Sequence, residues 1–208
     1  MPQDSTRRSF LREGLLASTG AVAGWWLAGS LPRGAIGDVY AAGAEADPGH
    51  EQRLQQLGLK LPDPAKPVAV YVTAAITGNL LYTAGHIPLT AEGKPLPGRL
   101  GQDFTLEQGR DAAHDVGLSI LSTVRNKLGS LDRVVKLVKV LGMVNCTPEF
   151  AQQPQVINGF SELMIQVFGE ESGKAARSAV GVAALPGNCP VEIEAIFEIL
   201  PADVSNTR

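Results

Sequence analysis

The sequence of 208 residues predicts an α+β domain in which a mixed β-sheet carries two helices on one face. Three observations support this class. Short β-branched and apolar segments alternate with two long amphipathic ones, and turn residues separate them. Their order is strand, strand, a third short strand or loop, helix, strand, helix, strand, strand. No internal repeat or low-complexity tract interrupts this order, so one domain accounts for the pattern.

The amino terminus has the pattern of an export signal. Arg7 and Arg8 precede a mildly apolar run over residues 14–31 that also contains glycine, serine and threonine. We therefore expect residues 1–44 to be a twin-arginine signal peptide, cleaved near Ala44, and the mature protein to be periplasmic with no stable membrane span. The alternative is an uncleaved anchor, because about 18 apolar residues can cross a bilayer.

The rest of the chain divides by composition. Residues 45–67 end in a proline-rich stretch and are expected to form an amino-terminal extension and linker. Residues 68–200 contain the predicted strands and long helices, and residues 201–208 form a short tail. The part that follows the signal is about 160 residues long, which suffices for one domain with its own core.

The first half of the domain predicts a β-hairpin and a helix. Apolar residues at 68–76 and 80–84 flank a Thr-Gly-Asn turn at 77–79, which is typical of a hairpin. A capping box at residues 105–108 predicts the start of a helix, and apolar residues at helical spacing continue it to Gly129.

The second half predicts three strands and a helix. Residues 134–144 are β-branched and apolar, which indicates a largely buried strand, and Pro148 ends it. An amphipathic helix follows and ends near Gly169. Two strands at 177–184 and 190–200, joined by a Leu-Pro turn, complete the domain as an apparent hairpin.

One face of this sheet has no helix to cover it. Val180, Val182, Ile193 and Phe197 are predicted to leave that face too apolar to meet water. Self-association through the sheet would cover it, and this favours a symmetric ring.

Composition and motifs exclude several classes of function. The net charge is −3 and no basic stripe occurs, so nucleic acid is not an expected partner. His50, His86 and His114 are scattered and predict no metal site. Ser178 lies in no nucleophile elbow, and the sequence has neither a phosphate loop nor a dinucleotide glycine pattern.

The two cysteines, Cys146 and Cys189, are isolated and lack metal-type spacing. An oxidising compartment would permit a disulfide between them. Folding before export would instead favour free, partly buried thiols, and the sequence leaves both states open.

The strongest candidates for function lie on the last two strands. Arg177 opens one strand, and Glu192, Glu194 and Glu198 alternate along one face of the next. In a hairpin, Arg177 and Glu192 would lie side by side and could hold a small anion beside a water or proton donor. The alternative is an ion pair or a solvated row of carboxylates.

Two segments resemble those of the RidA/YjgF family. Residues 71–88, with the run Thr-Ala-Gly-His-Ile-Pro, resemble its opening hairpin, and residues 176–195, with Ala-Arg-Ser-Ala-Val and Val-Glu-Ile-Glu-Ala, resemble its carboxy-terminal signature. The resemblance spans roughly residues 71–199. It implies a chorismate mutase-like fold, a homotrimer, and small-molecule clefts between adjacent subunits.

The resemblance also implies a reaction. Clefts in this family hydrolyse reactive imines and enamines, such as 2-aminoacrylate, to 2-oxo acids and ammonia without a cofactor. By resemblance, Arg177 pairs with the substrate carboxylate and Glu192 orients or activates water. Tyr71 lines the cleft as a second candidate catalytic residue, and the backbone near Gly85 contributes hydrogen bonds.

The sequence departs from the family pattern at several cleft positions. Ala84 stands where the deaminases have serine, and Ala179, a candidate substrate-binding position, stands where they have cysteine. A cleft asparagine of the family would fall near Pro148. His86 follows Gly85 and is expected to face the cleft, where it could act as an acid or base near neutral pH. These changes predict a more apolar cleft, suited to bulkier substrates or to non-catalytic binding of a small carboxylic acid.

Overall fold

The structure is a computed structural model that describes residues 48–201. The predicted signal peptide at residues 1–44 and nearly all of the predicted tail lie outside the described residues. Within the described residues, no helix is both long enough and apolar enough to cross a membrane.

The described chain contains five strands and three helices. In chain order these are α1 (His50–Gln56), β1 (Ala74–Thr77), β2 (Leu80–Thr83), α2 (Leu106–Leu128), β3 (Val134–Asn145), α3 (Gln153–Gly173), β4 (Ala176–Val182) and β5 (Val191–Ile199). Two 3-10 turns, Leu131–Arg133 and Pro186–Asn188, precede β3 and β5.

The strands form one mixed sheet in the order β1-β2-β5-β3-β4. The β3–β4 pair is parallel and the other pairs are antiparallel. The two long helices pack against each other and against the same face of the sheet, and their apolar residues join those of the strands in a single core. The predicted α+β class, with a mixed sheet and two helices on one face, is confirmed.

The parallel β3–β4 pair explains an error in the predicted pairing of the last two strands. Parallel neighbours need a crossover, and α3 provides it between β3 and β4. β5 then returns antiparallel on the other side of β3 and separates β3 from β2. β3 therefore lies between β4 and β5, and the expected hairpin of the last two strands is wrong.

The first hairpin is confirmed, although its first strand is shorter than predicted. β1 begins at Ala74, whereas the apolar run was expected to be extended from residue 68. Its four residues pair with β2 across the Gly78–Asn79 turn. Before β1, the Thr73 carbonyl accepts a hydrogen bond from the Ala84 N–H at 2.9 Å, whereas Val68 and Val70 are exposed.

The helix α2 has the predicted start and end. Thr105 Oγ1 accepts a hydrogen bond from the Gln108 N–H, and Gln108 Oε1 accepts one from the Thr105 N–H, so the capping box is complete. Gly129 ends the helix in the left-handed conformation with φ of 85°. On the packed side, Gly117 lies so close to Leu163 of α3 that a Cβ would come within 2.7 Å of it.

The sheet face without helices is less apolar than predicted. Ile193 and Phe197 lie fully buried on the helix side of the sheet, so they were assigned to the wrong face. Val180 does lie on the open face and is 42% exposed. Its row across the sheet includes Met143 and Glu192, so apolar and acidic side chains alternate there.

Candidate functional site

Arg177 is held in a fixed position by α3. It lies opposite Val140 of β3, and its side chain turns toward the helix side of the sheet. One terminal nitrogen, Nη1, donates hydrogen bonds to Asn158 Oδ1 at 2.9 Å and to Ser161 Oγ at 3.0 Å. The other, Nη2, donates to the Pro154 carbonyl oxygen at 3.3 Å. The helix thus orients the guanidinium before any ligand arrives.

These bonds leave part of the guanidinium available. A guanidinium has five N–H groups, and Asn158, Ser161 and Pro154 take three of them. The Nε–H and one Nη2–H make no further hydrogen bond with residues 48–201. Partial burial lowers the pKa of Arg177, but an arginine remains charged at neutral pH. Arg177 therefore offers a fixed positive charge with two unused donors.

A groove opens beside Arg177 with a volume of about 500 Å³. It lies between α3 on one side and the beginning of β4 on the other. Asn158 and Ser161, which hold Arg177, also line it. A small molecule that pairs with the guanidinium would therefore have room to extend into this groove.

Glu192 lies at the start of β5, close against Gly85. A Cβ at Gly85 would come within 1.9 Å of Glu192 Oε1, so any larger residue there would displace this carboxyl from its position. Burial raises the pKa of Glu192, and the nearby charge of Glu194 raises it further. A carboxyl with a raised pKa exchanges protons more readily near neutral pH than an exposed one does.

Arg177 and Glu192 do not lie side by side in one chain, so that expectation is wrong. Arg177 shares its row across the sheet with Val140 and Ala195, which face the helices. Glu192 shares its row with Met143, on the opposite face. With β3 between their strands, one small ligand can touch both groups only if two copies of the chain contribute them.

His86 does not face a cleft within this chain and is part of the core. Its side chain is only 4% exposed and points toward α2. The Ala84 carbonyl lies 2.8 Å from Nδ1, and because a carbonyl can only accept, Nδ1 carries the proton. Nε2 then accepts from the Thr123 hydroxyl, also at 2.8 Å. Burial lowers the pKa of His86 and keeps the ring neutral, so its placement favours a structural role.

The remaining predicted site residues lie at the edges of the sheet. Tyr71 precedes β1 and is 43% exposed, and its hydroxyl forms no hydrogen bond with the described residues. Ala179 lies two residues after Arg177 on the same face and packs at the margin of the core. Ala84 contributes its carbonyl to His86. The ligand-binding roles of Tyr71, Gly85 and Ala179 stay predictions.

The sequence prediction missed Asn158 and Ser161. The structure places Asn158 of α3 beside Arg177, whereas the sequence comparison put the family's asparagine position near Pro148 and treated it as lost. Asn158 and Ser161 are three residues apart and so share one side of the helix, where they interrupt an otherwise apolar pattern. That polar pair was the signal that could have identified them.

The cysteines of the described chain are free and buried. Burial and, secondarily, the charge of Glu192 raise the pKa of Cys189 to about 12, so its thiol is not a nucleophile at neutral pH. Cys146 accepts a hydrogen bond from Gln153 Nε2 at 3.5 Å. Residues 48–201 contain no cluster of three or more His, Cys, Asp or Glu side chains that could hold a metal ion.

Comparison with known proteins gives consistent matches over the described domain. The family model described as "YjgF/chorismate mutase-like, putative endoribonuclease" matches residues 51–197. Protein TCP17 of Trypanosoma cruzi is 42% identical over 146 residues, which cover 70% of this chain and 91% of that protein. The crystal structure of Atu1372 from Agrobacterium tumefaciens, of unknown function, is 41% identical with a TM-score of 0.65, covering 73% of this chain and 94% of that chain.

A second solved structure supports the same fold at lower identity. A protein from Shewanella oneidensis, named as a putative endoribonuclease, is 28% identical with a TM-score of 0.69, and 73% of this chain covers 100% of it. The matched region runs from α1 to β5 and includes Gly85, Arg177 and Glu192. The chain therefore belongs to the RidA/YjgF family.

Proposed function

We propose that this protein hydrolyses small carboxylated imines and enamines, such as 2-aminoacrylate, to 2-oxo acids and ammonia. In this proposal Arg177 holds the substrate carboxylate and Glu192 handles the proton of the attacking water. The protein acts as an exported, periplasmic homotrimer whose sites lie between adjacent subunits.

The arrangement of Arg177 is the observation that carries this proposal. Its guanidinium is fixed by Asn158, Ser161 and the Pro154 carbonyl, yet two N–H groups remain unused beside an open groove. Two donors on one planar cation suit a carboxylate, which can accept both. An arginine with a purely structural role would be expected to use its donors within the protein.

The proposed site needs two copies of the chain. Arg177 and Glu192 lie on opposite faces of their own sheet, so a substrate bound to Arg177 of one subunit would meet Glu192 of another. Gly85 would accompany Glu192, because the two are in contact. Tyr71, exposed before β1, would come from that same second subunit.

The proposed chemistry requires no change of oxidation state. An enamine first tautomerises to the imine, gaining a proton on carbon and losing one from nitrogen, and the water oxygen then bonds to the imine carbon as the C=N electron pair moves to nitrogen. Glu192 accepts a proton from water and returns one to nitrogen. The carbinolamine then breaks its C–N bond as its hydroxyl oxygen forms the C=O bond, the hydroxyl proton passes to the leaving nitrogen, and ammonia and a 2-oxo acid result. The raised pKa of Glu192 suits both proton transfers.

A non-catalytic role is the second candidate. Ala84 and Ala179 replace polar residues that the resemblance implies in the deaminases, which removes hydrogen-bonding groups from the cleft. A trimer that binds a small carboxylic acid through Arg177 without converting it would keep the anchor and lose the reaction.

The test uses imines generated in place by an amino-acid oxidase and measures release of 2-oxo acid with the purified protein. The proposal expects acceleration over buffer that falls at least about 100-fold in Arg177→Ala, with partial activity in Arg177→Lys. Arg133→Ala is the matched control, because Arg133 donates to the carbonyl oxygens of Leu128, Leu200 and Pro201, none of which lines the groove beside Arg177.

Two results would decide against this function. Acceleration that survives Arg177→Ala would place the chemistry elsewhere. No acceleration, together with calorimetric binding of 2-oxo acids that depends on Arg177, would favour the binding role instead.

A further inference from the structure

The groove beside Arg177 exists because β3 and β4 differ in length. β3 begins at Val134, but its first partner on β4 is Ala176, which pairs with Lys139. The amino-terminal part of β3 therefore has no strand beside it on this side. Leu137 of β3 faces the resulting gap under α3.

Half of the residues that line this groove are aliphatic or glycine, and the other half are polar or charged. Its floor is formed by Leu137 and Val140, which are otherwise buried at 2% and 1% exposure. Ile165 of α3 forms one wall and Ala175 the other. Gly173, the last residue of α3, lies close against its own helix, since a Cβ there would come within 2.5 Å of the Met164 carbonyl oxygen. Such a surface gains free energy when apolar groups cover it.

Arg177 supplies the positive charge of this groove that is held in a fixed position by neighbouring side chains. Glu162 also lines the groove, but its carboxylate is paired with Arg110 at 2.6 Å. Lys174 lines it too and is paired with Glu170. A second carboxylate on a ligand would meet the carboxylate of Glu162 and the largely exposed ammonium of Lys174, whereas a single carboxylate would meet the open donors of Arg177.

We propose that the groove binds the aliphatic side chain of a monocarboxylate whose carboxylate pairs with Arg177. The preferred substrates are then 2-imino acids with side chains the size of those of leucine or norleucine. This inference rests on the proposed function in taking Arg177 as the carboxylate anchor. A volume of about 500 Å³ is within the range of small-molecule sites and far exceeds what a 2-aminoacrylate-sized molecule fills.

The test compares ligands that differ only in side-chain length. Binding of 2-oxo acids with ethyl, propyl and butyl side chains is measured by calorimetry, and hydrolysis of the matching imines is measured alongside. We expect affinity to rise about two- to fourfold for each added methylene that the groove buries. The dicarboxylate 2-oxoglutarate should bind at least about tenfold more weakly than the butyl compound.

Groove-filling variants identify where the side chain binds. Ile165→Phe and Ala175→Leu should abolish the dependence on length while leaving binding of the ethyl compound within about twofold. Ile76→Phe, at an exposed position on β1 at the opposite edge of the sheet, is the control and should leave the dependence intact. Thermal unfolding confirms that each variant is folded.

The outcomes separate this inference from the proposed function. Length-dependent binding without turnover would support the groove and overturn the hydrolase. Equal affinity for all lengths, or a length dependence that survives both filling variants, would overturn the groove while hydrolysis of short imines could still hold. Loss of the oligomer in both filling variants, at unchanged length dependence, would show that a second copy of the chain occupies the groove and would also overturn the inference.

Discussion

The contact between Gly85 and Glu192 gives the sharpest prediction of this structure. Gly85 does not have a positive φ, so an alanine there would not strain the backbone. Its Cβ, however, would lie 1.9 Å from Glu192 Oε1 and 2.8 Å from the carboxyl carbon. Since ordinary heavy-atom contacts begin near 3.5 Å, the carboxyl would have to retreat by about 1.5 Å.

This displacement should reduce activity more than stability. The atoms that move are the end of a flexible side chain on the open face of the sheet, so we expect the free energy of unfolding to change by less than about 1 kcal/mol. A misplacement of about 1 Å in a reacting group can cost about 100-fold in rate. We therefore expect kcat for imine hydrolysis to fall about 100-fold in Gly85→Ala.

A double-mutant cycle isolates the cause. Hydrolysis is measured for Gly85→Ala, for Glu192→Gln and for the two combined. If Gly85→Ala acts only by displacing the carboxyl, adding it to Glu192→Gln should cost nothing further. Full activity in Gly85→Ala beside an inactive Glu192→Gln, or strictly additive losses, would refute the assignment of Gly85 as the residue that positions Glu192.

Three further predictions concern charge and pH. Burial lowers the folded-state pKa of His86 below 6.5. The neutral ring therefore contributes its full stabilisation above about pH 6.5, and this stabilisation is lost as the pH falls below that value. The free energy of urea unfolding should accordingly depend less on pH in His86→Gln than in the wild type. Burial raises the pKa of Glu192, so the charged carboxylate opposes folding as the pH rises above about 4.5. Glu192→Gln removes this charge and should raise the Tm near neutral pH. An unchanged or lower Tm in this variant would contradict the expectation. Asn158→Ala removes one of the bonds that fix Arg177 and should raise KM about tenfold without changing the fold; unchanged kinetics would show that this bond does not position the guanidinium.

Features set by neighbouring residues could be predicted from the sequence. The capping box and Gly129 determine both ends of α2 through bonds within a few residues. The turn at Gly78–Asn79 determines the register of β1 and β2 in the same way. The family motifs also pointed to Arg177 and Glu192 as candidate site residues, and their roles stay predictions.

Features set by distant parts of the chain could not be predicted in the same way. The position of β5 between β2 and β3 depends on the crossover through α3, which no local pattern reveals. That placement puts Arg177 and Glu192 on opposite faces. Period-two alternation shows that Glu192 and Ile193 face opposite ways, but it cannot show which of them faces the helices. The partnership of Arg177 with Asn158 likewise depends on how α3 packs on the sheet.

In the proposed active site, Arg177 comes from one subunit and Glu192 from another, and a mixing experiment tests this arrangement directly. Arg177→Ala and Glu192→Gln proteins, each inactive alone, are unfolded together, refolded at equal amounts, and assayed for imine hydrolysis. In a symmetric trimer assembled at random, about a quarter of the boundaries join an intact Arg177 to an intact Glu192. We predict recovery of about a quarter of the wild-type activity, whereas mixed oligomers that form without any recovery would contradict a site shared between subunits.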